Sequence, residues 1–158
     1  MKSTIDEYRA DHYMLVLAGH GHGTLKDFLD KTDSDRAYGL SIPALGGLLE
    51  VIHGKLNSIR RAKSEAEMWD ARLDILGMDC CLMSMTEVAY ALHTHVKVMV
   101  GAEGYEPMAG WPYQAVLGDV KALAQTKDTG DQALRDLGKR IVSRYIQYYK
   151  NYQAANVS

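Results

Sequence analysis

The apolar positions of this chain fall into short uninterrupted runs separated by longer stretches with a helical period. The longest run, Tyr13 to Ala18, carries no charge and leads straight into Gly19-His20-Gly21-His22-Gly23. A strand-sized apolar run bounded by turn residues reads as a buried strand. Residues 24–40 mix Asp, Lys, Thr, Ser and Gly without a period and read as a surface excursion. Ser41-Ile42-Pro43 then opens a helix, because Ser caps an N-terminus and Pro is tolerated in the first turn. Its apolar face runs Ile42, Leu45, Leu48, Leu49, Ile52, Leu56 and Ile59, and the Gly46-Gly47 pair weakens it. A second buried strand, Leu73 to Met78, ends at Asp79-Cys80-Cys81. Ser84-Met85-Thr86-Glu87 has the form of a capping box, with Ser84 as the cap of a short helix. A third strand spans Val96 to Ala102, and Pro107 to Trp111 is loop. Pro112 to Gln125 and Gln132 to Tyr152 read as helices, the second behind another box, Thr129-Gly130-Asp131-Gln132. The stripe Leu134, Leu137, Ile141, Tyr145, Tyr148 and Tyr152 on that last helix reads as a core face.

Strands that alternate with helices imply βαβ crossovers and a parallel sheet. Ligands of such sheets bind beyond the carboxyl ends of the strands. The His-Gly cluster and the Asp-Cys-Cys cluster both follow strand ends directly, so parallel pairing brings them to one edge of the sheet.

Composition narrows the function without naming it. A length of 158 residues suits a single domain with a real core. With 18 Lys+Arg against 20 Asp+Glu, the net charge of −2 speaks against nucleic-acid binding. No apolar run approaches the roughly 18 residues of a membrane span. Asp6, Glu7 and Asp11 stand where a signal peptide would be basic. The chain therefore reads as soluble, with its compartment unspecified. No repeat or low-complexity segment is visible. The two cysteines are adjacent, a spacing that strains a disulfide, so they read as free thiols.

Cys81 follows a strand and precedes a short helix, a setting that favours thiolate. On composition alone a buried structural cysteine is the more common case, and the histidine cluster on the same sheet edge tips the balance towards a reactive one. His20 and His22 stand between glycines after the first strand. A histidine there can serve as general acid and base, and flanking glycines let backbone N–H groups approach a reacting carbonyl. Local chemistry does not choose between the two histidines. His12, His53, His93 and His95 read as ordinary surface or satisfied residues.

Taken together, Gly19-His20-Gly21-His22-Gly23, the segment Leu73 to Tyr90 around Asp79-Cys80-Cys81-Leu82-Met83, and Glu87-Val88-Ala89-Tyr90 resemble the clostripain family of caspase-like cysteine peptidases. The similarity extends through Leu40-Ser41-Ile42-Pro43, Val98 to Glu103, Glu106-Pro107 and Gly110-Trp111-Pro112-Tyr113. It implies a caspase-like three-layer α/β sandwich with a mostly parallel sheet, the whole of residues 1–158 forming one peptidase domain. The family pattern Asp-x-Cys-Leu-Met assigns Cys81 as nucleophile, and the His-Gly motif assigns His20 as general acid/base. It further implies Gly21 and Cys81 N–H groups as oxyanion hole, and Asp79, helped by Glu103, as the acid that selects Arg or Lys before the cleaved bond. The partner is then a peptide or protein substrate with a basic residue at that position, with no cofactor and a bacterial source.

The resemblance also exposes departures. Twelve residues before Tyr13 are too few for the strand and helix that open the family's domain, so the domain is expected to lack them. An open sheet edge should then either be covered, by self-association or a partner chain, or leave the domain less stable than its relatives. Self-cleavage at Lys55, Arg60, Arg61 or Lys63 is a further implication, while no Asp-x-Asp-x-Asp-Gly calcium loop occurs. Two alternatives stand beside the peptidase: a catalytically inactive homologue that binds a partner, and a zinc domain using His20, His22, Cys80 and Cys81. Strand alternation would send Cys80 and Cys81 to opposite faces, which disfavours zinc.

Overall fold

The computed structural model describes residues 2–23, 39–61, 70–126, 128 and 130–150. In chain order the elements are α1 (Lys2–Glu7), β1 (Met14–Ala18), α2 (Ile42–Arg61), β2 (Leu73–Asp79), α3 (Thr86–Leu92), β3 (Val96–Gly101), α4 (Tyr113–Thr126) and α5 (Asp131–Tyr149). They separate into two compact units, residues 1–108 and 109–158.

The first unit is a mixed α/β structure built on a three-stranded parallel sheet in the order β1-β2-β3. Every residue of the central strand β2 is buried, as expected for a parallel strand covered on both faces. By contrast β1, expected as a buried strand, is half-buried over Met14–Leu17, at the edge of the sheet formed by the described residues. Leu45, Leu49, Ile52, Leu56 and Ile59 of α2 join Leu76 and Met78 of β2, Cys80 just past it, and Val88 and Leu92 of α3 in one core. That is the stripe expected of α2, except that Leu48 turns outward. Ser41 caps α2 as its sequence suggests, its Oγ accepting the Ala44 N–H at 3.3 Å.

Three details depart from expectation. The residues before β1 form no strand among the described residues, but they do form α1, which drives Ile5 into the core at 1% exposure. Ser84 does not cap α3. Its N–H is taken by the carbonyl of Ala102 at 3.0 Å, so the helix starts later, with Met85 at the cap and no side-chain bond there. The buried charge at Asp74 has no counterpart in the sequence reading. Its carboxylate accepts the Tyr13 N–H at 2.9 Å and pairs with Lys97 Nζ at 3.1 Å and His12 Nδ1 at 3.2 Å. A carboxylate 1% exposed needs such partners. The cluster ties together the starts of all three strands, at the end of the sheet away from the His-Gly and Cys-Cys clusters.

The second unit is an α-helical hairpin. Leu134, Leu137 and Ile141 of α5 are buried with Val116 of α4 and Trp111. Further along α5 the expected stripe drifts. Tyr148 is 61% exposed, and Tyr149 turns inward instead, donating its hydroxyl to the Gly110 carbonyl at 2.6 Å. The cap of α5 is Gly130 with no side-chain bond, so the expected box does not form; Thr129 and Tyr152 lie outside the described residues. So do residues 24–38 of the expected surface excursion. Among the described residues no helix is long and apolar enough to cross a membrane.

Candidate active site

Sheet register decides where the chemistry collects. β1 and β2 run in parallel register up to the pair Ala18↔Asp79, and the Gly19 N–H donates to the Asp79 carbonyl at 3.2 Å beyond it. His20 and Cys81 are therefore both two residues past the last paired position, on adjacent strands. The expected convergence of the two clusters at one sheet edge is met by the backbone itself.

Gly21 shows how tightly the two loops fit. A methyl group built there would collide with the Cys81 carbonyl oxygen, and would lie 2.6 Å from Met83 Cγ and 3.3 Å from Cys80 Cβ. The glycine is thus required by close approach. Two residues on, Gly23 has φ +62° and packs against Leu82 and Met85. His20 is exposed, while His22 is half-buried with its Nδ1 enclosed.

The two cysteines part ways. Cys80 is 2% exposed within the core of β2, α2 and α3. Burial first, and then the negative charges of Glu106 and Asp79, push its thiol up to about 12, so it is no nucleophile at neutral pH. Cys81 is partly exposed. Its Sγ accepts the backbone N–H of Glu106 at 3.2 Å and faces the Glu106 carbonyl at 3.8 Å.

Behind Cys81 the backbone is strained. Leu82 has φ +60°, a left-handed conformation costing a leucine on the order of 1–2 kcal/mol. Two bonds hold it: the Leu82 N–H donates to Gly104 O and the Ser84 N–H to Ala102 O, each at 3.0 Å. The turn after β2 is thereby sewn to the turn after β3, which brings Glu106 over the sulfur. Asp79, at the end of β2, is 7% exposed, and Glu103, just past β3, is exposed. Of the residues singled out by sequence, His20, Gly21, Asp79, Cys81 and Glu103 all fall on the loops or strand ends at this edge. The part of Glu106 was not foreseen, because a main-chain N–H leaves no signature in residue identity. Its only signal was its place in the Glu106-Pro107 motif. Among the described residues no group of three or more His, Cys, Asp or Glu side chains is arranged to hold a metal ion. The two cysteines of the zinc alternative sit in different surroundings, Cys80 buried in the core and Cys81 partly exposed.

The sequence profile of the clostripain family matches residues 1–158, across the whole chain. This chain belongs to the clostripain family. Solved structures agree on the fold. A secreted cysteine protease from Bacteroides thetaiotaomicron, in complex with an irreversible peptide inhibitor, matches with a TM-score of 0.66 and 23% identity. That match covers 98% of this chain and 37% of that one. An inactive zymogen protease from Parabacteroides distasonis matches with a TM-score of 0.55 and 24% identity, covering 95% of this chain and 34% of that one. The Bacteroides thetaiotaomicron protease iotapain gives 0.56 and 16%, covering 96% and 39%. At these identities the likeness carries the caspase-like fold alone. This clostripain-family chain spans a little over a third of the length of these proteases. Comparison with curated proteins gives no match.

Proposed function

We propose that this protein is a cysteine endopeptidase that cleaves after Arg or Lys with a Cys81–His20 dyad. The observation that carries the proposal is the fit of the His20 loop onto the Cys81 turn, with no room at Gly21 for a methyl group. Family membership supplies the reaction class, and the two structural units are read as one peptidase domain because the family match runs across both.

In the proposed cycle the Cys81 thiolate attacks the carbonyl carbon after the basic residue and forms a C–S bond. The oxygen that becomes negative is met by the N–H groups of Gly21 and Cys81. Collapse breaks the C–N bond as His20 delivers a proton to the departing amine. Water then adds to the thioester, His20 takes its proton, and Cys81 leaves as thiolate. Asp79 supplies the negative charge that compensates the substrate's guanidinium or ammonium on burial, with Glu103 adding to the field nearby. Exposure of His20 suits a group that must reach both leaving amine and incoming water.

The test is hydrolysis of fluorogenic peptides ending in Arg, Lys, Asp or Leu, under reductant and chelator. The parent is compared with Cys81→Ala, His20→Ala and Asp79→Asn. Cleavage after Arg and Lys alone, lost in the first two variants and reduced in selectivity in the third, is the expected result. Equal cleavage by parent and Cys81→Ala would reject the dyad. The outer edge of β1 carries a second part of the proposal: it pairs with a further strand, from a second copy or a partner chain. A strictly monomeric mass in light scattering, with no partner retained, would count against it.

A further inference from the structure

Two large apolar side chains stand in the solvent beside the nucleophile. Tyr105 is 85% exposed and Met108 is 98% exposed. They flank Glu106, whose main chain touches the Cys81 sulfur at 3.2 Å. Consecutive Cα atoms are about 3.8 Å apart, so Tyr105 lies one peptide unit and Met108 two from that contact. The Gly104 carbonyl, one residue before Tyr105, is held by the Leu82 N–H at 3.0 Å, which fixes the loop to the strained turn after Cys81. Exposed apolar groups scattered singly need no explanation, but a pair on one short loop at a reactive centre does.

We infer that Tyr105 and Met108 form an apolar contact surface for the substrate residues next to the scissile bond. The occupant is an extended peptide carrying a leucine- or phenylalanine-sized side chain beside its basic residue. A peptide extends about 3.3 Å per residue, so its side chains neighbouring the attacked carbonyl pass within reach of residues one and two positions from Glu106. The charge of Asp79 then reads one substrate position, and the Tyr105–Met108 loop reads its neighbours by hydrophobic contact. This inference rests on the peptidase reading above and adds to it a preference that Asp79 does not explain.

The experiment is a set of internally quenched peptides with arginine fixed before the cleaved bond. Neighbouring positions on either side alternate between Leu or Phe and Ser. The readout is the ratio of kcat/KM for apolar-flanked over serine-flanked peptides, in the parent and in Tyr105→Ser, Met108→Ser and the double variant. Burying one such side chain is worth about tenfold in that ratio, or about 1.4 kcal/mol. The parent is expected to prefer the apolar peptides, and the ratio to fall roughly tenfold in the double variant. Tyr105→Phe should retain it. Tyr90→Ser, at a tyrosine 77% exposed on α3, serves as the control and should leave it unchanged. A parent that cleaves all the arginine peptides equally, or a ratio untouched in the double variant, overturns the inference and leaves the peptidase reading standing. No cleavage of any peptide by folded parent protein overturns both.

Discussion

Replacing Gly21 with alanine asks whether the His20 loop and the Cys81 turn act as one unit. The added methyl group meets the Cys81 carbonyl oxygen and Met83 Cγ at once, the latter at 2.6 Å. That is about 1 Å short of ordinary carbon–carbon contact. Met83 can turn its flexible side chain away, but the carbonyl is backbone. The turn that bears it is pinned by the bonds from Leu82 to Gly104 and from Ser84 to Ala102, each 3.0 Å. The loop of residues 19–23 must therefore give way. Overpacking of this kind costs about 1–3 kcal/mol of stability. A displacement near 1 Å between reacting groups costs on the order of 10²-fold in rate. Urea unfolding should show a lowered midpoint with unchanged slope, and kcat/KM on an arginine peptide should fall about 100-fold. Gly47→Ala is the matched control: nothing lies within 4 Å of that position in α2, and alanine there should stabilise by about 0.5–1 kcal/mol. A Gly21→Ala protein with the parent's midpoint and turnover would refute the claim that the two loops are in register through this contact.

Three further outcomes follow from named contacts. Iodoacetamide at pH 7.5 should label native parent once and leave native Cys81→Ala unlabelled, because the Cys80 thiol is buried and held near 12; label on Cys80 in folded protein, read by peptide mass mapping, would contradict this. Asp74→Ala should cost about 3–5 kcal/mol in urea unfolding by stranding Lys97 and His12, and the double change Asp74→Leu with Lys97→Met should recover part of it. The Arg72 guanidinium hydrogen-bonded to Asp70 lowers that carboxyl from 3.8 to about 2, so the unfolded chain binds the proton more readily. Its stabilisation is then complete above pH 3.8 and is lost as the pH falls towards 2. Both side chains are about a third exposed, so solvent screening limits the effect to about 1 kcal/mol or less, measurable as the acid slope that Asp70→Asn removes.

Strand positions, the α2 stripe and the Ser41 cap were all legible in the chain, because each depends on neighbours within a turn or two. Convergence of His20 and Cys81 followed from parallel pairing alone, since both lie just past apolar runs. Cys80 and Cys81 lie past the end of β2, so the burial of one and the partial exposure of the other are set by the turn and not by strand alternation. Elsewhere local rules lost to tertiary ones. Ser84 has the chemistry of a cap, yet its N–H is engaged by Ala102 and the helix begins beyond it. On α5 Tyr149 takes the place expected of Tyr148, held by its bond to Gly110 and by ring contact with Tyr145 one turn earlier. Ile5 gave no periodic signal, because α1 is less than two turns long.

What the chain alone determined is therefore the order of its elements from β1 onward, the parallel sheet and the sheet edge where its chemistry gathers. These follow from periodicity and from turn residues at the ends of apolar runs. Only the tertiary structure decided that Cys80 is buried and inert and that Gly21 sits hard against the Cys81 carbonyl. It alone laid the Glu106 N–H on the sulfur and paired Asp74 with His12 and Lys97. Each of those joins residues distant in the chain, and their energies depend on burial and on atomic distance, which no local pattern of side chains encodes.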